Sequence, residues 1–236
     1  MSARRPPLVL LAHGTANPVG QQVVYAVAQA TATRLPDVDV AVGFVDVCGP
    51  SADEVLGDHP GAVVVPYLLT SGYHVRSDIP EAIERASNGA LASPALGVTP
   101  EVVDVVLDRL RESLSDQDLA SPDALVLAAA GSSDDRARQE VLCMGAVIAA
   151  CAGLPVRVGF MSGPGPSARD AVSDVGAEGA TAVVALSYLL APGHFHSRAQ
   201  GLGARVTTGP LGVHPRMVDA VVNRYFSVAG PDRAER

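Results

Sequence analysis

The strongest constraint on the fold of this chain is that it repeats itself. Leu8-Val9-Leu10-Leu11-Ala12-His13-Gly14-Thr15 is echoed by Leu125-Val126-Leu127-Ala128-Ala129-Ala130-Gly131-Ser132. Gly43-Phe44 with Gly49-Pro50-Ser51 returns as Gly159-Phe160 with Gly165-Pro166-Ser167, and Tyr67-Leu68-Leu69 with Gly72 returns as Tyr188-Leu189-Leu190 with Gly193. Leu96-Gly97-Val98-Thr99-Pro100 returns as Leu211-Gly212-Val213-His214-Pro215. Four ordered matches at a nearly constant offset, roughly 115–121 residues, define a duplicated domain. In each half, short Val/Leu/Ala runs alternate with longer helical stretches, the pattern of an α/β domain on a parallel sheet. The sequence predicts strands at 7–12, 38–45, 62–66 and 91–96, helices at 19–35, 52–56, 79–87 and 100–114, and a polar linker over 115–123. The expected domains are 1–116 and 123–236, each a parallel sheet flanked by helices, meeting around a cleft.

Composition narrows the chemistry. Hydrophobic residues at 48% supply a core in a 236-residue chain, and a net charge of −8 argues against nucleic acid as a partner. All 17 basic residues are Arg, which excludes a Walker lysine or a Schiff base. Cys48, Cys143 and Cys151 form no CxxC pair, so no disulfide framework or zinc knuckle is indicated. The patterns G-x-G-x-x-G, G-x-x-x-x-G-K-[ST] and G-x-S-x-G are absent, which removes the dinucleotide, P-loop and serine-hydrolase readings. The apolar runs Leu8–Ala12 and Ala180–Ala191 are too short for a signal or a membrane span, so a cytoplasmic location without a membrane partner is expected.

The duplication also allows an internal comparison. Residues kept in both halves serve the fold, whereas polar residues found in one half are candidates for chemistry. His13 stands against Ala130, Asp46 against Ser162 and, with Gly72 matched to Gly193, His74 against Phe195. In a parallel sheet all strand C-termini share one edge, where ligands bind, so His13, His74 and Asp46 are expected near one site. His194-x-His196 is a weak metal pair and reads as a solvated loop; His214, opposite Thr99, has no counterpart in the first half.

Three segments together resemble a known family: Leu-x-x-His13-Gly14-Thr15, Phe44-Val45-Asp46-x-x-x-Pro50-Ser51, and Pro66-Tyr-Leu-Leu-x-x-Gly72-Tyr73-His74-Val75-x-x-Asp78-Ile79-Pro80. They are similar to the sirohydrochlorin chelatases of the CbiX type, class II chelatases related in fold to ferrochelatase. The resemblance covers nearly the whole chain as a two-domain member, with the diagnostic residues in the first half. It implies a lyase that inserts Co²⁺ or Fe²⁺ into sirohydrochlorin for sirohaem or cobalamin biosynthesis, with the metal as substrate and no tightly bound cofactor. His13 and His74 then serve in metal binding and proton handling. Asp46 stands where the family commonly has Glu, as a shorter third metal contact, and the second half is a degenerate repeat.

Neutral imidazole suits this chemistry, since it ligates divalent iron or cobalt and accepts a proton near neutrality. The polycarboxylate substrate requires local positive potential in an acidic protein. Arg76, Arg136, Arg138 and the helix N-termini after Gly14-Thr15 and Gly131-Ser132-Ser133 are the expected carboxylate contacts. A non-catalytic tetrapyrrole- or metal-binding protein of the same fold is the alternative, and joint retention of His13 and His74 favours the enzyme. A monomer or weak homo-oligomer is expected, because fusion of two halves replaces the dimer of a single-domain member.

Overall fold

The structure, a computed structural model, describes residues 5–116 and 121–230. It contains two four-stranded parallel sheets with the same strand order. In the first, β1 (Leu8–Ala12) lies between β2 (Val40–Phe44) and β3 (Val63–Tyr67), and β4 (Leu91–Ala92) pairs with β3. In the second, β5 (Ala124–Ala129) lies between β6 (Val156–Phe160) and β7 (Val183–Tyr188), with β8 (Val206–Thr207) at the edge. The helices are α1 (Pro18–Arg34), α2 (Ala52–Asp58), α3 (Ile79–Ala86), α4 (Pro100–Asp116), α5 (Asp135–Ala152), α6 (Ala168–Ala177), α7 (His194–Gln200) and α8 (Pro215–Ala229). The architecture is that of duplicated α/β domains.

The central strands are apolar throughout because helices cover both faces of a parallel sheet. Every residue of β1, β3, β5 and β7 is buried, while β2 and β6 begin half-exposed. On one face of the first sheet Val9, Leu11 and Val64 pack with Val55, Leu56, Ile79 and Ala82. The second sheet packs Val126, Ala128 and Ala185 against Ala168, Ala171, Val172 and Val175. The strand expected over 91–96 is cut to two residues. Ser93 N–H still donates to Val64 O at 2.9 Å, but Pro94 has no N–H with which to extend the ladder.

The compact units do not coincide with the sequence halves. One unit comprises the chain up to Gly97 together with Val213 onward; the other runs from Val98 to Gly212. A boundary near 116–123 therefore describes the repeat and not the packing. Helix α4 starts the second unit, and helix α8 returns to the first. The contacts are reciprocal. Arg109 of α4 donates to Leu211 O at 2.7 Å, and Arg224 of α8 donates to Leu96 O at 2.8 Å. Each carbonyl precedes a glycine in the left-handed region, Gly97 at φ +64° and Gly212 at φ +63°, which turns the chain out of one unit into the other. The expected 115–123 linker begins inside α4, and its residues 117–120 lie outside the described part.

Two tyrosines of the first unit give a stability test. Tyr67 is fully buried at the end of β3 with no hydrogen-bond partner for its hydroxyl, and burial pushes its pKa well above the ordinary phenol value. Tyr225 of α8 instead donates its hydroxyl to Pro6 O at 2.8 Å. Tyr67→Phe is expected to be neutral or to stabilise by about 1 kcal/mol, whereas Tyr225→Phe is expected to cost about 1 kcal/mol. Urea denaturation of both variants checks the opposite signs.

Candidate metal-handling site

The strand order reverses between β1 and β3, which are paired in parallel with Ala12 opposite Tyr67. Ligands of open parallel sheets bind outside the strand C-termini at such a reversal. His13 leaves β1 there. His74 follows β3 and opens a π-helical turn, His74–Asp78, which runs directly into α3. The wide turn is closed by Ile79 N–H donating to His74 O. Single π turns recur at functional sites because they re-aim side chains within a helix. The two imidazole rings lie with centroids 4.4 Å apart at an interplanar angle of 33°. The sheet thus brings together the two histidines singled out by the internal comparison.

Asp78 belongs to the same site, a role the sequence reading did not assign. Its Oδ2 is 2.5 Å from His74 Nδ1. With the carboxylate ionised, Nδ1 carries the proton and donates, which leaves the Nε2 lone pair for a ligand. The available signal was the four-residue spacing from His74, which places the two side chains on one face of a helical turn.

His13 is exposed as a residue, yet its pKa is held below the ordinary imidazole value. Partial desolvation of the ring is the main cause and the neighbouring His74 adds to it; Asp46 and then Asp78 oppose the shift. Neutral imidazole is therefore the favoured form near pH 7. Asp46 follows β2, and its N–H donates to His13 O at 2.9 Å. Its carboxylate is turned back on its own loop, with Oδ1 accepting from Val47 N–H at 2.7 Å. Among the described residues no three His, Cys, Asp or Glu side chains form a metal-binding group. The expected set His13, His74 and Asp46 is thus not assembled as three donors, and the structure presents an open pair of imidazoles. Asp46 acts on His13 through charge.

The remaining expectations are scattered. Arg76 lies on the π turn, exposed, beside the histidine pair. Arg136 and Arg138 lie at the start of α5 in the other unit. Arg138 is engaged by its own helix turn, donating to Ser132 O at 2.8 Å and pairing with Asp135, while Arg136 is exposed. Each of the two helix N-termini expected to receive carboxylates has one N–H taken by its own cap residue. Asn17 Oδ1 accepts from Val19 N–H and Asp134 Oδ1 from Arg136 N–H, each at 2.9 Å.

The His194–His196 pair is not a solvated loop, since it opens α7. Residues two apart on a helix face different directions, so the pair does not chelate. His196 Nδ1 lies 3.0 Å from Ser187 Oγ, and desolvation lowers its pKa; His194 packs edge-on against Phe195. His214 is the N-cap of α8, its Nδ1 accepting from Arg216 N–H at 3.2 Å.

Two parallel α/β units of identical topology, one carrying an open pair of imidazoles at its strand-order reversal, define a chelatase-like protein. The CbiX family model matches residues 7–113 and again 124–228, and the chain belongs to that family. Among curated proteins it is similar to the sirohydrochlorin cobaltochelatase of Methanococcoides burtonii, 32% identical over 82 residues, which are 33% of this chain and 63% of that protein. It is also similar to that of Methanosarcina barkeri, 29% identical over 45% of this chain and 95% of that protein. The one from Sulfolobus acidocaldarius is 31% identical over 46% of this chain and 92% of that protein. The fold is that of SirB from Bacillus subtilis, solved with Fe³⁺, with a TM-score of 0.79 and 23% identity over 96% of both chains. A CbiX described as the terminal enzyme of sirohaem biosynthesis in denitrifying bacteria aligns with a TM-score of 0.72 and 20% identity, over 94% of this chain and 99% of that one. Among the described residues no helix is long and apolar enough to cross a membrane.

Proposed function

We propose that this chain is a sirohydrochlorin chelatase that takes Co²⁺ or Fe²⁺ as substrate and inserts it into the macrocycle. The observation that carries the reading is the pair of imidazoles 4.4 Å apart at the β1/β3 reversal, in a member of the CbiX family. Insertion requires a metal donor that lets go and an acceptor for the two pyrrole N–H protons. His74, held by Asp78 through Nδ1, is the fixed Nε2 donor to the incoming metal. Two imidazoles without a third protein donor hold the ion weakly enough to release it. His13, kept neutral by desolvation and open to solvent, accepts the two pyrrole protons one after the other and passes each to water, and the charges of Asp46 and Asp78 stabilise the imidazolium formed each time. Arg76, beside His74 in sequence, is the contact for a substrate carboxylate within this unit. The product feeds sirohaem or cobalamin synthesis according to which metal is inserted.

The test is metal-dependent turnover: purified protein with sirohydrochlorin and Co²⁺, or Fe²⁺ under anaerobic conditions, followed by the absorbance change of the macrocycle. Binding of the tetrapyrrole without turnover with either metal would refute the proposal and favour a carrier. The pH profile adds a signed prediction. Because His13 must be neutral and its pKa is lowered, kcat/KM is expected to hold down to below about pH 6.5, the unperturbed imidazole value, before falling. Asp78→Asn removes one of the charges that raise the His13 pKa, so it is expected to move the acidic limb lower still. A shift of the acidic limb upward in Asp78→Asn would contradict the role given to His13.

A further inference from the structure

The second unit carries a pocket at a place where its chain is shorter than that of the first unit. Between the third strand of the sheet and the edge strand, the first unit has a five-residue π turn and the eight-residue α3. The second unit has only the seven-residue α7 at this place. In the first unit α3 brings Arg85 onto Asp53 of α2, with Nη2 to Oδ1 at 2.9 Å and Nε to both carboxylate oxygens. That ion pair bridges α2 and α3. The second unit has neither partner: Asp53 is replaced by Arg169, on α6, and the shorter α7 ends before any equivalent of Arg85.

What stands there instead is a pocket of about 380 Å³. The buried Phe160 and Met161 line it together with Arg169, Ser197, Arg198 and Leu202. No Asp or Glu lines it, although acidic residues outnumber basic ones in the chain. Arg169 donates from Nη2 to Gly201 O at 2.8 Å, which uses one of its five N–H groups. Arg198 is exposed and is paired with no carboxylate among the described residues. Helix preference explains only one of the two cations. Arg198 lies in the last turn of α7, where the helix dipole favours positive charge, but Arg169 lies in the first turn of α6, where it is disfavoured.

We infer that this pocket is a binding site for a compact oxyanion, a carboxylate or phosphate group received by Arg169 and Arg198 with the Ser197 hydroxyl beside them. The site is separate from the histidine pair, which belongs to the other unit. Two guanidinium groups left without a carboxylate in one pocket that also offers a hydroxyl provide the donors that recognise oxyanions. The apolar Phe160, Met161 and Leu202 in the lining suit a small organic acid or phosphoester better than a bare ion.

The experiment is calorimetric titration of the whole chain with inorganic phosphate and, separately, with citrate. Saturable binding of at least one is expected, and the tighter of the two identifies the class. Arg169→Gln and Arg198→Gln are each expected to weaken it by about tenfold, the loss of one charge-assisted contact. Arg111→Gln serves as the charge-matched control, since Arg111 pairs with Asp108 on α4, outside the pocket. It is expected to leave binding unchanged. Circular dichroism and thermal midpoints establish that all three variants are folded. Absence of saturable binding of both probes, failure of either pocket variant to weaken it, or equal weakening in Arg111→Gln would each overturn the inference.

Discussion

His13→Ala and His74→Ala are each expected to lower metal insertion by about a hundredfold or more while leaving the fold unchanged. The size follows from removing a positioned proton acceptor or a metal donor, which is worth about 10²–10⁴ in rate. The intact fold follows from where the side chains sit. His13 is exposed beyond the end of β1, and His74 is half-buried on a turn that joins β3 to α3. Neither side chain is among the buried residues that build the core. His194→Ala and His196→Ala are the matched controls from the other half. His194 packs on its own neighbour Phe195, and His196 loses one hydrogen bond to Ser187, so the second change is expected to cost about 1 kcal/mol of stability and little activity. A first difference map from a Co²⁺ soak separates the pairs as well, with metal expected at an imidazole nitrogen of His13 or His74. Equal activity losses in both halves, or metal held by His194 and His196, would overturn the asymmetry on which the site rests.

That asymmetry was legible because a duplicated sequence carries its own comparison. The end of the first strand is held by the same backbone bond in both units, and Asp46 and Ser162 each bind the next carbonyl, one through its N–H and the other through its hydroxyl. Val45 N–H donates to Ala12 O at 2.9 Å, and Met161 N–H donates to Ala129 O at 2.8 Å. Ala130 therefore occupies the backbone position of His13, and the matching of Asp46 with Ser162 is a true structural equivalence. The π turn was not legible, since periodicity distinguishes helix from strand but not one helical winding from another. For the same reason the sequence leaves Asp78 without a role, since its pairing with His74 depends on side-chain geometry. The exchange of α4 and α8 was also hidden. The two Leu-Gly-Val-x-Pro segments were visible as a repeat, but nothing local distinguishes a helix that folds back on its own sheet from one that crosses over. Only contacts about a hundred residues apart, such as Arg109 to Leu211 and Arg224 to Leu96, decide it. The capping of α1 and α5 by Asn17 and Asp134 is legible from residue type alone, and each cap uses one of the N–H groups at its N-terminus.

The second large effect is expected at Gly14. It sits at φ +106°, and a Cβ built on it would lie 2.0 Å from the backbone oxygen of Asp46. Two penalties therefore combine in Gly14→Ala. The left-handed backbone costs an L residue about 1–2 kcal/mol, and the carbonyl has to move, because backbone cannot yield as the far end of a flexible side chain can. The strand-end bonds Asp46 N–H to His13 O and Val45 N–H to Ala12 O, both 2.9 Å, resist that movement. A total loss of more than about 4 kcal/mol is expected, in the range reserved for a named backbone or core defect. Gly131 makes the same approach in the sister unit, at φ +99° and 1.9 Å from Ser162 O, so Gly131→Ala should destabilise comparably. The two variants part company in activity. Gly14→Ala displaces the loop that positions His13 against Asp46, so the folded fraction, measured at low temperature where it predominates, should have lost most of its turnover. The folded fraction of Gly131→Ala should retain it, because Ala130 and Ser162 carry no step of the reaction. Chemical denaturation paired with turnover per folded molecule makes the comparison, and equal specific activity in the two variants would show that the Gly14 turn does not position the site.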